Sequence, residues 1–144
     1  MTPDEQDRLV VQLVQHEGLR LKPYADTVGK LTIGVGRNLT DKGISEGEAS
    51  FLLRNDIADV EHELSARLPW FAMLNEVRRR VLFDMAFNLG TAGLLKFKNT
   101  LAAIERGDYE AGARGMLASK WAAQVGRRAE RLAKMMATGQ EVSL

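Results

Sequence analysis

The stretch from His16 to Arg37 constrains the fold most, because glycines punctuate it in a chain that is otherwise patterned for helices. Aliphatic residues alternate with small or polar ones from 31 to 36, which is the period of a half-buried strand. Short β-prone pieces lie on both sides of Val28-Gly29-Lys30, where the glycine permits a turn. The pattern predicts a small hairpin or three-stranded sheet, which must pack on a helix because an isolated hairpin is marginal in water.

Helices are predicted on both sides of this sheet. Thr2-Pro3-Asp4-Glu5 combines a capping threonine, a proline at the first helical position and a glutamate three residues after the cap. Gly18 would end that helix, so Glu17 falls in its last turn. Ser45-Glu46-Gly47-Glu48 is a second capping box, and the helix that it opens should run to about Leu68.

The remainder of the chain is predicted to be helical. Asn75 is a candidate cap for a strongly apolar helix that ends at Gly90, and we expect this helix at the centre of the core. Four further short helices are indicated by glycine and cap signals, over residues 91–97, 98–106, 108–121 and 126–138. The sequence therefore predicts a mostly helical α+β protein with one small antiparallel sheet.

Composition excludes several classes of protein. With no cysteine, the chain has no disulfides or thiolate metal sites, and His16 and His62 are too far apart to form a local ligand pair. We expect no metal, no cofactor and no nucleic-acid partner. No apolar run is long enough for a spanning helix, and residues 1–17 lack the pattern of a signal peptide.

Charge is unevenly placed along the chain. Residues 1–60 hold 7 Lys/Arg against 10 Asp/Glu, and residues 61–144 hold 13 against 9, so the two halves carry −3 and +4. The basic residues from Arg127 to Lys134 could lie on an anionic membrane. We favour the reading that the apolar residues of this segment close the core, without stable membrane insertion.

Three side chains in the glycine-rich stretch could carry chemistry. Glu17 at a helix end, with Asp26 and Thr32 in the hairpin, could face one another across a cleft, as acid and base catalysis of glycosidic cleavage requires. Taken singly, each is common elsewhere: a surface glutamate, a turn aspartate and a strand threonine. Their combination and spacing carry the argument.

This stretch closely resembles the phage lysozymes of the T-even type, glycoside hydrolase family 24, whose pattern is E-G-L-R-L-x-x-Y-x-D-T-x-G-x-x-T-I-G-x-G. The sequence matches that pattern at every fixed position from Glu17 to Gly36. Three later segments are also similar to the family: residues 77–90, residues 97–101, and Trp121 with Gln124 and Arg128.

The resemblance implies one lysozyme domain over residues 1–144 with a long helix between two lobes. The N-terminal lobe would cover about 15–58, and the helical lobe would cover about 59–144 together with the first helix, 3–14. It further implies that Glu17 is the proton donor, that Asp26 is the base on water or stabilises the charged sugar ring, and that Thr32 helps to hold the water. Phe87 and Thr100 would be substrate contacts, while Tyr24 and Arg128 would support the site, Arg128 by pairing with Glu17.

The function that this resemblance implies is that of a muramidase, which hydrolyses the β-1,4 bond between N-acetylmuramic acid and N-acetylglucosamine in bacterial peptidoglycan. Two alternatives stay open: a lytic transglycosylase, which needs one glutamate, and a wall-binding module without catalysis. In a phage setting we expect a monomer that stays in the host cytoplasm until a holin-type pore gives it access to the wall. Arg37 and Asn38 depart from the best-known member, which places the ion pairs and sugar contacts at this edge in question.

Overall fold

The computed structural model describes residues 1–143, which form eight α-helices, a short 3₁₀ turn and one three-stranded sheet. The chain divides at Leu52 into two compact units, residues 1–52 and 53–144. None of the helices within residues 1–143 is long and apolar enough to cross a membrane. In chain order the elements are α1 (Pro3–Glu17), β1 (Arg20–Ala25), β2 (Leu31–Gly34), β3 (Arg37–Asn38), α2 (Glu46–Arg67), the 3₁₀ turn (Phe71–Met73), α3 (Glu76–Leu89), α4 (Thr91–Leu95), α5 (Lys98–Glu105), α6 (Tyr109–Leu117), α7 (Lys120–Val125) and α8 (Arg127–Thr138).

The first helix begins and ends where the sequence predicts. The Thr2 hydroxyl accepts a hydrogen bond from the Glu5 amide at 3.2 Å, and the Glu5 carboxylate accepts one from the Thr2 amide at 2.6 Å. These two bonds satisfy amides that have no partner inside the helix. At the other end the Gly18 amide donates to the Val14 carbonyl, and Gly18 takes a φ of 78°, which favours glycine. Glu17 is therefore the last residue of α1, as predicted.

The sheet follows directly and has the order β1-β2-β3, with both pairs antiparallel. Its register places Tyr24 opposite Thr32 and Arg20 opposite Gly34, with an irregularity between these two pairs. The β2–β3 pair places Thr32 opposite Asn38. The three-stranded alternative of the sequence prediction is thus the correct one, and Thr32 lies on the central strand, where it is 4% exposed.

The predicted capping box at the start of α2 is present. The Glu48 amide donates to the Ser45 hydroxyl at 3.1 Å, and the Ser45 amide donates to the Glu48 carboxylate at 2.9 Å. The helix then runs without a break to Arg67. A continuous helix of this length confirms the predicted long helix of the fold.

The core of the second unit is centred on α3, as expected. Asn75 caps this helix by accepting from the Arg78 amide, and Val81, Leu82 and Met85 on its inner face are fully buried. Helices α4 and α8 pack against it, and α6 packs on α5 and α8 to complete the core. In α8 the apolar residues Leu132, Met135 and Met136 are at most 3% exposed, so they close the core. Burial of such side chains contributes roughly 1.5–3 kcal/mol each.

One predicted helix is wrong. The segment 108–121 was expected as a single helix, but α6 ends at Leu117 and α7 begins at Lys120. Ser119 causes the break: its hydroxyl donates to the Met116 carbonyl at 2.7 Å and accepts from the Ala122 amide at 3.2 Å. One side chain therefore serves both helix ends, because serine competes well for backbone partners at caps.

The predicted fold class is confirmed: the chain is mostly helical and carries one small antiparallel sheet. The predicted lobes, residues 15–58 and residues 59–144 with the first helix, stay a prediction.

Candidate functional site

Glu17 occupies the end of α1 and its side chain lies against the turn between β2 and β3. A Cβ atom placed on Gly36 would stand 3.3 Å from Glu17 Oε2 and 3.5 Å from its Cδ. Gly36 also has a φ of 70°, a conformation that costs other residues roughly 1–2 kcal/mol. Glycine at this position therefore serves two needs: it makes the turn and it leaves room for the carboxyl group of Glu17.

Asp26 organises the turn that joins β1 to β2. Its Oδ1 accepts hydrogen bonds from the amides of Val28 at 3.0 Å and Lys30 at 2.8 Å, and its own amide donates to the Lys30 carbonyl at 2.9 Å. These bonds fix the position of the carboxyl group. Both of these bonds fall on Oδ1, and Oδ2 accepts no hydrogen bond from residues 1–143.

The side chain of Thr32 binds the same backbone carbonyl as the amide of Asp26. Its hydroxyl donates to the Lys30 carbonyl at 3.0 Å, the atom that also accepts from the Asp26 amide. Because a hydroxyl has one proton and two lone pairs, a hydroxyl that donates inward can still accept from outside. The Asp26 backbone amide and the Thr32 hydroxyl are therefore bound to the same carbonyl oxygen, and the catalytic roles predicted for the two residues stay predictions.

Tyr24 lies on the strand next to that of Thr32. It lies directly opposite Thr32 in the β1–β2 register, and its ring packs under the guanidinium of Arg20 at 4.4 Å. A cation over an aromatic ring contributes about 0.5–1 kcal/mol at exposed sites. The supporting role that the resemblance implies for Tyr24 stays a prediction.

Arg37 and Asn38, the two residues at the edge of the sheet that depart from the best-known member of the family, both have local partners. Arg37 pairs with Glu48 at 2.8 Å, and the Asn38 amide donates to Asp41 at 3.0 Å. The hydrogen bond from Arg37, together with those from Ser45, lowers the pKa of Glu48 to about 2. The same pairing raises the pKa of Arg37. Arg37 is therefore used to join the end of the sheet to the start of α2.

In the second unit Phe87 and Arg128 lie around one cavity of 270 Å³ between α3 and α8. Phe87 is 45% exposed and stacks on Phe83, with 6.4 Å between ring centroids. Arg128 donates to Asp84 Oδ1 through Nε at 2.9 Å and through a terminal nitrogen at 2.5 Å. Its observed partner is thus Asp84, and the predicted pairing with Glu17 stays a prediction.

Thr100, the other predicted substrate contact, lies on α5 and faces Gly115 of α6. It is 6% exposed, and a Cβ on Gly115 would approach its Oγ1 to 2.2 Å. Thr100 and Gly115 therefore fit closely together in the helix packing. The predicted contact of Thr100 with substrate stays a prediction.

Sequence reasoning missed two partners of the candidate residues. The Lys30 carbonyl anchors both Asp26 and Thr32, and no side-chain pattern could have revealed a backbone contact. Asp84, which binds Arg128, left a weak signal because it is a lone acid in the otherwise apolar run from Val81 to Phe87. In the part of the chain that the structure describes, no group of three or more His, Asp or Glu side chains is placed to hold a metal ion.

Comparison with known proteins identifies the family. The phage lysozyme family model matches residues 14–137. The pre-baseplate central spike protein Gp5 of Enterobacteria phage T4 is 30% identical over 96% of this chain and 29% of its own length. The SAR-endolysin of Bacteriophage PS119 is 32% identical over 65% of this chain and 57% of its own length. The probable T4-type lysozyme 2 of Dictyostelium discoideum is 28% identical over 85% of this chain and 89% of its own length.

The chain therefore spans less than two thirds of the length of the first two of these relatives. The family match, in contrast, includes the end of α1, the whole sheet and most of the second compact unit, residues 53–144. On this evidence, the chain belongs to the phage lysozyme family and is of the T4 type.

Proposed function

We propose that this protein is a muramidase that hydrolyses the β-1,4 glycosidic bond between N-acetylmuramic acid and N-acetylglucosamine in bacterial peptidoglycan. The observation that carries the proposal is the shared anchoring of Asp26 and Thr32 on the Lys30 carbonyl, in the same compact unit as Glu17. An acid, a base and a hydroxyl are the groups that this hydrolysis uses. Membership of the phage lysozyme family supports the same assignment.

The attacking water is assigned to Asp26 and Thr32. Asp26 Oδ1 is engaged by two amides, so Oδ2 is the oxygen that accepts a proton from water. The Thr32 hydroxyl donates to the Lys30 carbonyl and accepts the second proton of the same water in a hydrogen bond. Both protons of such a water are engaged in hydrogen bonds, which leaves a lone pair of its oxygen free to attack the anomeric carbon of the sugar.

Glu17 is assigned the role of general acid. It protonates the glycosidic oxygen as the bond to the leaving sugar breaks, which avoids the expulsion of an alkoxide. Its carboxyl group lies beside Gly36, where a Cβ atom would stand 3.3 Å from Oε2. Proton transfer of this kind typically contributes about 10²–10⁴-fold to the rate.

A carboxylate that activates water, instead of attacking the sugar itself, gives inversion at the anomeric carbon. We therefore expect the α-anomer as the first product from the β-linked substrate. NMR of the first-formed anomer tests this directly. A retained β-anomer would show that Asp26 acts as the nucleophile.

The principal experiment is digestion of purified peptidoglycan in heavy-oxygen water, followed by mass spectrometry of the fragments. Hydrolysis places the label in a reducing end, whereas a lytic transglycosylase leaves an unlabelled anhydro end.

The Glu17→Gln variant tests the role of the acid, because it keeps the size and hydrogen bonding of the side chain but removes its transferable proton. We expect it to fold normally and to lose about 10²–10⁴-fold in activity; activity within tenfold of wild type would remove Glu17 from this role.

We also propose that the enzyme acts as a monomer in host cell lysis, with a holin-type pore giving it access to the wall from the cytoplasm. Expression in a bacterial host with and without such a pore tests the dependence. Rapid lysis in both cases would exclude the requirement for the pore. Size-exclusion chromatography with light scattering measures the oligomeric state.

A further inference from the structure

The side chain of Lys30 is tied to the loop that follows β3. Its ammonium group pairs with Asp41 Oδ1 at 3.2 Å. The other oxygen of the same carboxylate accepts a hydrogen bond from the Asn38 side-chain amide at 3.0 Å, and the Asp41 backbone amide donates to Asn38 Oδ1 at 3.0 Å. Asp41 therefore binds both the turn that precedes β2 and the last residue of β3.

Lys30 in turn holds two candidate catalytic groups through its backbone. Its amide donates to Asp26 Oδ1 at 2.8 Å, and its carbonyl accepts from the Thr32 hydroxyl at 3.0 Å and from the Asp26 amide at 2.9 Å. The amide, the carbonyl and the ammonium group of Lys30 thus all have partners. A movement of Lys30 would displace both the carboxyl group of Asp26 and the hydroxyl group of Thr32.

The loop that carries Asp41 is fixed by bonds that do not involve Lys30. Two hydrogen bonds of 3.1 Å, each between backbone groups four residues apart, close the segment 38–43 into turns. The Leu31 amide donates to the Thr40 hydroxyl at 2.8 Å, and the Leu31 carbonyl accepts from the Leu39 amide at 2.7 Å. Because this loop is attached to β2 by its own contacts, Asp41 can restrain the side chain of Lys30.

We propose that Asp41 is a positioning residue for the hydrolysis: through its ion pair with Lys30 it holds the backbone on which Asp26 and Thr32 are anchored. The inference rests on the proposed function, because Asp26 and Thr32 have their assigned roles only in that reaction. Asp41 acts through Lys30 and takes no part in the proton transfers.

The expected effect is on the rate more than on stability. The side chains of Lys30 and Asp41 are 40% and 56% exposed, and ion pairs between exposed groups contribute little to the stability of a fold. Catalysis is more sensitive, because a displacement of the reacting groups by about 1 Å can cost roughly 10²-fold in rate. For a smaller displacement of the turn we expect kcat to fall about three- to tenfold, with KM changed by less than about twofold.

Single variants of the two partners, with one control, separate this role from a general effect of charge. Asp41→Asn keeps the size of the side chain and can still accept from Asn38, but it removes the charge. Lys30→Met removes the ammonium group and leaves the backbone bonds of residue 30 in place. Lys42→Met is the matched control: it removes one positive charge from the same loop, and within residues 1–143 Lys42 forms no ion pair.

The first measurement is kcat and KM on solubilised peptidoglycan, together with melting curves. We expect Asp41→Asn and Lys30→Met each to lower kcat about three- to tenfold, and the double variant to lie within about twofold of the single variants, because both changes break the same contact. Lys42→Met should keep the wild-type kcat, and all melting temperatures should stay within about 3 °C of wild type. A wild-type kcat in Asp41→Asn, or losses that multiply in the double variant, would overturn the proposal.

Amide hydrogen exchange, measured by NMR, tests the restraint without any hydrolysis. The Val28 amide donates to Asp26 Oδ1 and therefore reports on the order of the turn. We expect it to exchange at least about twofold faster in Asp41→Asn and Lys30→Met than in wild type and Lys42→Met. If wild type does not hydrolyse peptidoglycan, the proposed function fails while the exchange rates still decide whether Asp41 restrains the turn. Normal hydrolysis by wild type, with unchanged exchange and kcat in Asp41→Asn, refutes the role of Asp41 alone.

Discussion

Replacing Gly36 with alanine should impair catalysis by Glu17 more than it impairs the fold. The new methyl group would stand 3.3 Å from Glu17 Oε2, which is closer than most Cβ contacts, so the carboxyl group must move by a few tenths of an ångström. Misplacing a catalytic group by about 1 Å can cost roughly 10²-fold in rate. For the smaller displacement we expect a loss in kcat of about tenfold.

Gly34 offers a matched control on the same sheet. Its φ of 71° is nearly equal to the 70° of Gly36, but a Cβ there would meet nothing within 4 Å. Both alanine variants should therefore lose about 1–2 kcal/mol of stability from backbone strain. In a domain of this size that corresponds to a fall in melting temperature of roughly 3–8 °C. The contact with Glu17 should separate the two variants only in activity.

The assay is hydrolysis of solubilised peptidoglycan at a temperature well below both melting transitions, with circular dichroism to measure stability. We expect Gly34→Ala to keep kcat within about threefold of wild type, because its strain is local. If Gly36→Ala retains the kcat of Gly34→Ala, Gly36 does not position the carboxyl group. Equal loss of kcat in both variants would assign the effect to the sheet as a whole.

Three further predictions follow from the hydrogen bonds and packing. Thr32→Val should lower kcat more than it changes KM, with stability altered by less than about 1 kcal/mol, because the Lys30 carbonyl keeps its bond from the Asp26 amide; an unchanged kcat with an intact fold would exclude Thr32 from water binding. Gly115→Ala should cost about 1–3 kcal/mol of unfolding free energy by overpacking against Thr100, whose Oγ1 would be 2.2 Å away. In a Thr100→Ala background that cost should largely disappear, and urea unfolding of the double-mutant cycle measures the coupling. The pKa of Glu48 is lowered to about 2, so its contribution to stability is complete above its usual pKa of 4.5 and is lost as pH falls through about 2. The melting temperatures of wild type and Glu48→Gln should therefore converge between pH 4.5 and 2, and a constant difference across that range would contradict the role of the pair with Arg37.

Local sequence determined most of the elements of this protein. The capping boxes at Thr2 and Ser45 and the cap at Asn75 begin their helices where the pattern predicts, because each cap satisfies amides within three residues of itself. The sheet was predictable for a similar reason: period-two alternation and glycines with positive φ act over short distances. The break at Ser119 was missed because a serine inside an apolar pattern can also continue a helix, and only its two backbone partners decide.

In the candidate site, too, the sequence predicted some features and only the tertiary structure decided others. The spacing of Glu17, Asp26 and Thr32 predicted the chemistry, because the residue types that can serve as acid, base and hydroxyl are few. Tertiary structure alone decided that Asp26 and Thr32 share the Lys30 carbonyl and that Gly36 borders the carboxyl group of Glu17. It also decided that Arg128 binds Asp84, 44 residues away in sequence. Such contacts join backbone atoms or distant side chains, and the free energy that selects them arises only when the elements pack together.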